Sequence, residues 1–149
     1  HHKIIGCNSR LDSIQAEVLN IKLNYLNDYN QARNQIAENY NKAFSSVEQL
    51  HIPVLNNNST HVYHQYTLRV HPLYRDPLRL YLKGKGISNR IYYPIPLHKQ
   101  KVFSNIVDPN YNLANTNLLS ATCLSLPIHT EIEKNSQDFI MDTVKSFFK

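Results

Sequence analysis

Between Leu11 and Phe44 apolar residues recur at gaps of three and four: Leu11, Ile14, Val18, Ile21, Tyr25, Tyr29, Ala32, Ile36, Tyr40 and Phe44. That period lays a single apolar stripe along a helix and is incompatible with a strand, whose side chains alternate between faces. The stripe predicts a packing element, so the rest of the chain has to supply the surface it packs on. Asn8 or Ser9 is placed to cap the helix, and Asp12 suits its first turn. The pair Asn27–Asp28 predicts a break, giving two consecutive helices or one kinked helix.

The elements that follow are shorter. HIPVLNNNST (51–60) reads as a brief extended piece and then an Asn-rich surface loop. HVYHQYTLRV (61–70) alternates, with Val62, His64, Tyr66 and Leu68 on one side, and predicts a strand. DPLRLYLKGKG (76–86) predicts a short helix with Pro77 near its start and Gly84 or Gly86 at its end. ISNRIYYPIP (87–96) predicts a strand stopped by Pro94 and Pro96. NLANTNLLSATC (112–123) is weakly helical, and CLSLPI (123–128) is a short strand. EKNSQDFIMDTVKSFF (133–148) is an amphipathic helix with Phe139, Ile140, Val144 and Phe147 on one face. With no internal repeat and no long linker, the order αα, β, α, β, α, β, α predicts one α+β domain.

A chain of 149 residues with 42% hydrophobic residues and ten Tyr has the means to build a core, burying roughly two-thirds of its unfolded surface. The net charge of +5 comes from scattered Lys and Arg rather than a basic stripe, so no nucleic-acid partner is expected. No run approaches the length of a membrane span, and no apolar h-region suggests secretion. Cys7 and Cys123 form no close-spaced metal pair. These features predict a reducing, cytoplasmic setting. Met141 is the only Met, so the chain is expected to be part of something longer or a processed product, with His1 and His2 either native or a tag remnant.

Few residues suggest chemistry. His61 and His64 sit three apart on a predicted strand, facing opposite sides, and lack a nearby carboxylate or thiolate, so no metal site is expected. No G-x-S-x-G elbow supports a Ser nucleophile, and no GxGxxG fingerprint is present. Cys7, close to Arg10, is more simply inert packing than a reactive thiol. Two places exceed structural need. One is the turn Asn8-Ser9-Arg10. The other is YYPIPLHKQ (92–100), where Tyr92, Tyr93, His98, Lys99 and Gln100 are held on a proline-stiffened segment. A stiff loop bearing such groups suits a polar ligand.

GCNSRLDSIQAEVLNIKLNYLNDYNQARNQIAENY, HVYHQYTLRV, GISNRIYYPIPLHKQ and LSLPIHTEI, in this order and spacing, resemble the C-terminal part of the DegT/DnrJ/StrS sugar aminotransferases, which use pyridoxal 5'-phosphate (PLP). The resemblance covers nearly the whole chain, and its most specific parts are G-x-N-x-R-x-D-x-x-Q-A and Y-P-x-P-L-H-x-Q. It implies that residues 1–149 form the small C-terminal domain of a fold-type I aminotransferase, with short antiparallel strands and packed helices. It further implies a homodimer whose active sites are shared between subunits. In that resemblance Asn8 reaches the PLP phosphate of the neighbouring subunit, and Arg10 lies near the sugar nucleotide. Tyr92 and Tyr93 line the same pocket, with His98 close by. Tyr92 stands where many members carry His.

The chemistry agrees with these roles. An amide and a helix N-terminus suit a phosphate, and a guanidinium fork suits a diphosphate or carboxylate. The Schiff-base Lys belongs to family sequence preceding this segment, so the fragment alone is expected to be inactive. The implied reaction of the intact enzyme moves an amino group from glutamate to a keto sugar nucleotide for cell-surface polysaccharide or secondary-metabolite synthesis. The alternatives are a PLP-dependent sugar dehydratase of the same family and a non-catalytic binding or regulatory module.

Overall fold

The computed structural model describes Ile4, Gly6, Cys7, residues 10–108 and residues 112–149. Two helices open it, α1 (Ser13–Leu23) and α2 (Leu26–Phe44), followed by strands β1 (Leu50–His51) and β2 (Tyr66–Val70). Then come α3 (Pro72–Gly84), two 3-10 turns at Leu97–Lys99 and Lys101–Phe103, α4 (Ala114–Thr122), β3 (Cys123–Leu126) and α5 (Lys134–Phe147). The strands form one antiparallel sheet in the order β1-β2-β3. The fold is α+β, as the order of elements predicts. Among the described residues no helix is long and apolar enough to cross a membrane.

The apolar stripe behaves differently along its two halves. α2 buries Ile36, Ala37, Tyr40 and Phe44, whereas α1 has no buried residue. The break lies at Asn24–Tyr25, ahead of the predicted Asn27–Asp28. There the amides of Asn24 and Tyr25 turn back to the carbonyls of Ile21 and Lys22. Asn27 and Asp28 fall instead in the first turn of α2, where a carboxylate is favourable. The cap also departs from expectation. Asp12, not Asn8 or Ser9, is the N-cap of α1, and it forms a reciprocal box: Gln15 N donates to Asp12 Oδ1 at 2.9 Å, and Asp12 N donates to Gln15 Oε1 at 3.4 Å.

One sheet face and the helices make the core. Tyr66, Leu68 and Val70 of β2 and Leu124 and Leu126 of β3 are buried with Tyr40 and Phe44 of α2 and Leu78 and Leu82 of α3. The Tyr40 ring lies 5.7 Å from Phe44 and 4.9 Å from Tyr66. Both of these phenols have partners: Tyr40 donates to the Pro127 carbonyl at 2.9 Å and Tyr66 to Asn41 Oδ1 at 2.7 Å. On α5 the buried face is Gln137, Ile140, Thr143 and Val144, and Phe139 is half exposed, contrary to its predicted place. Gln137 takes the interior position because its amide is satisfied at both ends, donating to the Ile36 carbonyl at 2.8 Å and accepting from Asn39 at 3.1 Å.

Three more predicted boundaries move. Residues 61–65 are not strand, because Tyr63 adopts a left-handed φ of 45° while its amide donates to His61 Nδ1. The turn ends the extended run and drops the Tyr63 ring into the core. α3 starts at Pro72 behind an N-cap at His71, so Pro77 sits inside it. The hydrogen bond Pro77 cannot make lies on an exposed side of the helix, where the Leu73 carbonyl is open to solvent rather than buried. In 87–96 only Arg90 pairs, in an isolated bridge to Ser125. The carbonyls of Tyr92 and Tyr93 accept from side chains instead, Cys123 and Ser120.

α3 closes in a Schellman motif. Ile87 N donates to the Leu82 carbonyl at 2.9 Å and Gly86 N to the Lys83 carbonyl at 3.1 Å, with Gly86 at φ +77°. Gly86→Ala is expected to destabilise the fold by about 1–2 kcal/mol, since the αL backbone penalises a Cβ even in open space. Gly84→Ala, in the helix with open space and no such φ, should stabilise it by up to about 1 kcal/mol. Urea denaturation of the pair checks both signs.

Burial holds the Tyr40 and Tyr66 phenols well above the ordinary tyrosine range, and neighbouring phenols add to the rise at Tyr66. The unfolded chain releases those protons near about pH 10 while the folded one keeps them. Stability is therefore intact below that pH and falls as pH rises past it. The urea midpoint should decline between about pH 9 and about pH 11, and the decline should be shallower in Tyr40→Phe/Tyr66→Phe.

Candidate functional site

Antiparallel register places directly opposed residues on the same sheet face. Leu68 opposite Leu124 and Tyr66 opposite Leu126 face the core, so Thr67 opposite Ser125 and Arg69 opposite Cys123 face the other way. This second face is hydroxylic rather than apolar. Thr67 Oγ1 and Ser125 Oγ lie 2.7 Å apart, so one hydroxyl donates to the other and keeps the acceptor's own proton free.

The stiff segment 92–100 lies along this face. It frames a cleft of about 770 Å³ lined chiefly by Tyr92, Tyr93, Leu97, Leu119 and Cys123, with Thr67 in its wall. Three bonds hold the segment. Ser120 Oγ donates to the Tyr93 carbonyl at 2.8 Å, Gln100 Nε2 donates to the Ile95 carbonyl at 3.2 Å, and Cys123 Sγ lies 3.8 Å from the Tyr92 carbonyl. The Tyr92–Tyr93 peptide is cis, and the two rings meet edge to face at 5.8 Å. Both rings remain substantially exposed toward the cleft, unlike the core tyrosines.

Burial pushes the Cys123 thiol up, against smaller opposing effects of Arg75 and of hydrogen bonds at Tyr92 and at its own backbone. Cys123 is therefore a neutral wall residue at physiological pH. His98 stands in the 3-10 turn of the same segment but is not among the residues that line the cleft. Its Nε2 is buried and has no hydrogen-bond partner among the described residues.

The structure thus gathers Tyr92, Tyr93 and His98 on one segment. Arg10 lies exposed ahead of α1 and forms no hydrogen bond or ion pair among the described residues. Asn8 lies outside the described residues. The helix N-terminus expected to favour an anion is already served by the Asp12 carboxylate, so it offers little to a second negative charge. Sequence reasoning missed Thr67, Ser125 and Cys123 as site walls. The signal lay in the alternation of 66–70, whose odd positions have to face away from the core.

Gln100 is buried at the root of the segment. Gln100→Ala should lower stability by about 1–3 kcal/mol and loosen residues 92–99. Denaturation together with amide exchange of the segment checks both effects.

The family model "DegT/DnrJ/EryC1/StrS aminotransferase family" matches residues 1–145. A "Pleiotropic regulatory protein" of Geobacillus stearothermophilus is 31% identical over 100% of this chain and 40% of its own length. A "dTDP-3-amino-3,6-dideoxy-alpha-D-galactopyranose transaminase" of Aneurinibacillus thermoaerophilus is 33% identical over 95% of this chain and 38% of its own. The crystal structure of S. venezuelae DesV in complex with a ketimine intermediate superposes with a TM-score of 0.88 at 30% identity, covering 100% of this chain and 40% of that one. The chain therefore spans about 40% of the length of the relatives it matches.

Proposed function

Since the chain belongs to the DegT/DnrJ/EryC1/StrS aminotransferase family, we propose that it is the small C-terminal domain of a PLP-dependent sugar-nucleotide aminotransferase. The observation that carries this reading is the placement of Tyr92 and Tyr93, which line an open cleft instead of filling the core. Exposed tyrosine rings with their hydroxyls on a stiffened wall suit a sugar, whose hydroxyls need partners and whose ring faces are apolar. The amino group is taken from glutamate in this reading, and the intact protein is a homodimer. Support for a second surface comes from α1, whose Ile14, Val18, Ile21 and Leu23 are all exposed. An apolar helix with no buried residue suits a place against further protein.

PLP, when bound, supplies an electron sink and carries the amino group between donor and acceptor. This chain's part in holding it would fall to Asn8, through its amide, while the α1 N-terminus is already capped by Asp12. Among the described residues Arg10 has no carboxylate partner, which leaves its charge for an anion brought by the substrate. Arg10 binds the anionic part of the sugar nucleotide, Tyr92 and Tyr93 orient its sugar, and His98 holds a hydrogen bond to an incoming polar group. The Schiff-base Lys lies outside this chain, so the isolated chain is expected to be silent in transamination.

A regulatory reading draws on the relative named as a pleiotropic regulatory protein. Absorbance of the purified intact protein separates the two. An aminotransferase shows a visible PLP band that glutamate bleaches and a keto sugar nucleotide restores, while a regulatory module shows neither change. In the same protein, Asn8→Ala should weaken PLP retention with folding stability unchanged, as read by equilibrium dialysis. Arg10→Ala should raise KM for the sugar nucleotide on the order of tenfold to a hundredfold, matching one lost charge-assisted contact.

A further inference from the structure

Beside the Tyr92 cleft lies a smaller recess of about 260 Å³, lined by His64, Gln65, Asn89, Arg90, Tyr92 and Ser125 among others. Its composition differs from the cleft. No residue lining it is acidic, and hydroxyl, amide, imidazole and guanidinium groups dominate. Arg90 is fixed at its edge by a two-bond bridge to Ser125: Arg90 N donates to the Ser125 carbonyl at 3.1 Å, and Ser125 N donates to the Arg90 carbonyl at 2.7 Å. An antiparallel pair shares a face, so the Arg90 side chain starts on the side of Ser125 and Thr67 rather than on the core side.

The charge of Arg90 has no answer within the described residues. Arg33 is committed to the Val62 carbonyl and Asn30. Arg75 and Arg79 share Asp76. Arg90 makes no side-chain hydrogen bond or ion pair among the described residues. Arg69 is also without one but lines neither the cleft nor the recess. A guanidinium at a recess without carboxylates, next to a hydroxyl pair with a spare proton, is a donor set for an oxyanion.

We propose that the Arg90 recess is an oxyanion subsite that holds a carboxylate or phosphoryl group of a substrate while Tyr92 contacts the rest of the same molecule. Tyr92 lines both spaces, so one ligand can span them. The volume admits one anionic group and its immediate neighbours, not a nucleotide. This deepens the proposed function and rests on it for the identity of the molecule. The anion comes from the sugar nucleotide or from the amino-acid donor.

The test uses the intact, PLP-loaded protein as wild type, Arg90→Ala, Arg90→Lys and Arg69→Ala. KM is measured separately for glutamate and for the sugar nucleotide. The expected result is a tenfold to hundredfold rise, on the order of one lost charge-assisted contact, in one of the two constants for Arg90→Ala. Arg90→Lys should recover part of it, since it keeps the charge and loses the fork. A rise for glutamate alone assigns the donor carboxylate, and a rise for the sugar nucleotide alone assigns its anionic group. Unchanged constants overturn the proposal, as does an equal rise in Arg69→Ala, which marks general surface charge.

A separate titration keeps this independent of the enzymatic reading. Inorganic pyrophosphate and glutarate are titrated calorimetrically into wild type and Arg90→Ala. If the protein does not transaminate, the proposed function fails. Binding of either anion that Arg90→Ala weakens still supports the subsite, and binding by neither, or equally by both proteins, overturns it.

Discussion

The buried contact between Tyr40 and Tyr66 decides which side of the sheet can carry a site. Tyr66 places its ring against Tyr40 of α2 and its hydroxyl on Asn41, and Tyr40 in turn donates to the Pro127 carbonyl just beyond β3. Helix, central strand and edge strand are thereby fixed by one aromatic pair with both polar ends satisfied. Because strand side chains alternate, committing Tyr66, Leu68 and Val70 to the core commits Thr67 and Arg69 to the opposite face. The site face is the geometric complement of the core, and a register slip of one residue would exchange them.

The opposite face is then furnished by one segment. Residues 92–100 pair with nothing as a strand, yet they are held by Ser120, Cys123 and Gln100, each drawn from a different local element or turn. The prolines remove amides that a ladder would need, which leaves the carbonyls to side-chain donors and the Tyr rings to the cleft. Two spaces of different character result, an aromatic cleft and a polar recess, with Tyr92 on the boundary. A sugar nucleotide joins those same characters in one molecule.

Much of this architecture is legible in residue pattern. The period of Ile36, Tyr40 and Phe44, the short CLSLPI strand and the C-terminal helix follow from apolar spacing alone, because burial rewards that spacing directly. Three of the misreadings share a cause: a local hydrogen bond outweighed a propensity. His61 Nδ1 captures the Tyr63 amide and ends the strand before it begins, Asp12 takes the cap by pairing with Gln15, and Gln137 enters the core because Ile36 and Asn39 satisfy it. Tyr92, Tyr93 and His98 were visible as more polarity than a loop requires. Thr67, Ser125 and Arg90 were not, since their meaning depends on register, which a single sequence leaves open. α1 is the reverse case, an apolar stripe read as core that stays exposed within this chain.

The claim on which the account stands is that the sheet face bearing Thr67 and Ser125 is a ligand face. The most direct measurement is a crystal structure of the intact protein with a bound sugar nucleotide. That ligand is expected against the 92–100 segment, within hydrogen-bond reach of Tyr92 or Tyr93. A ligand seated elsewhere, with this face packed against protein, would contradict it.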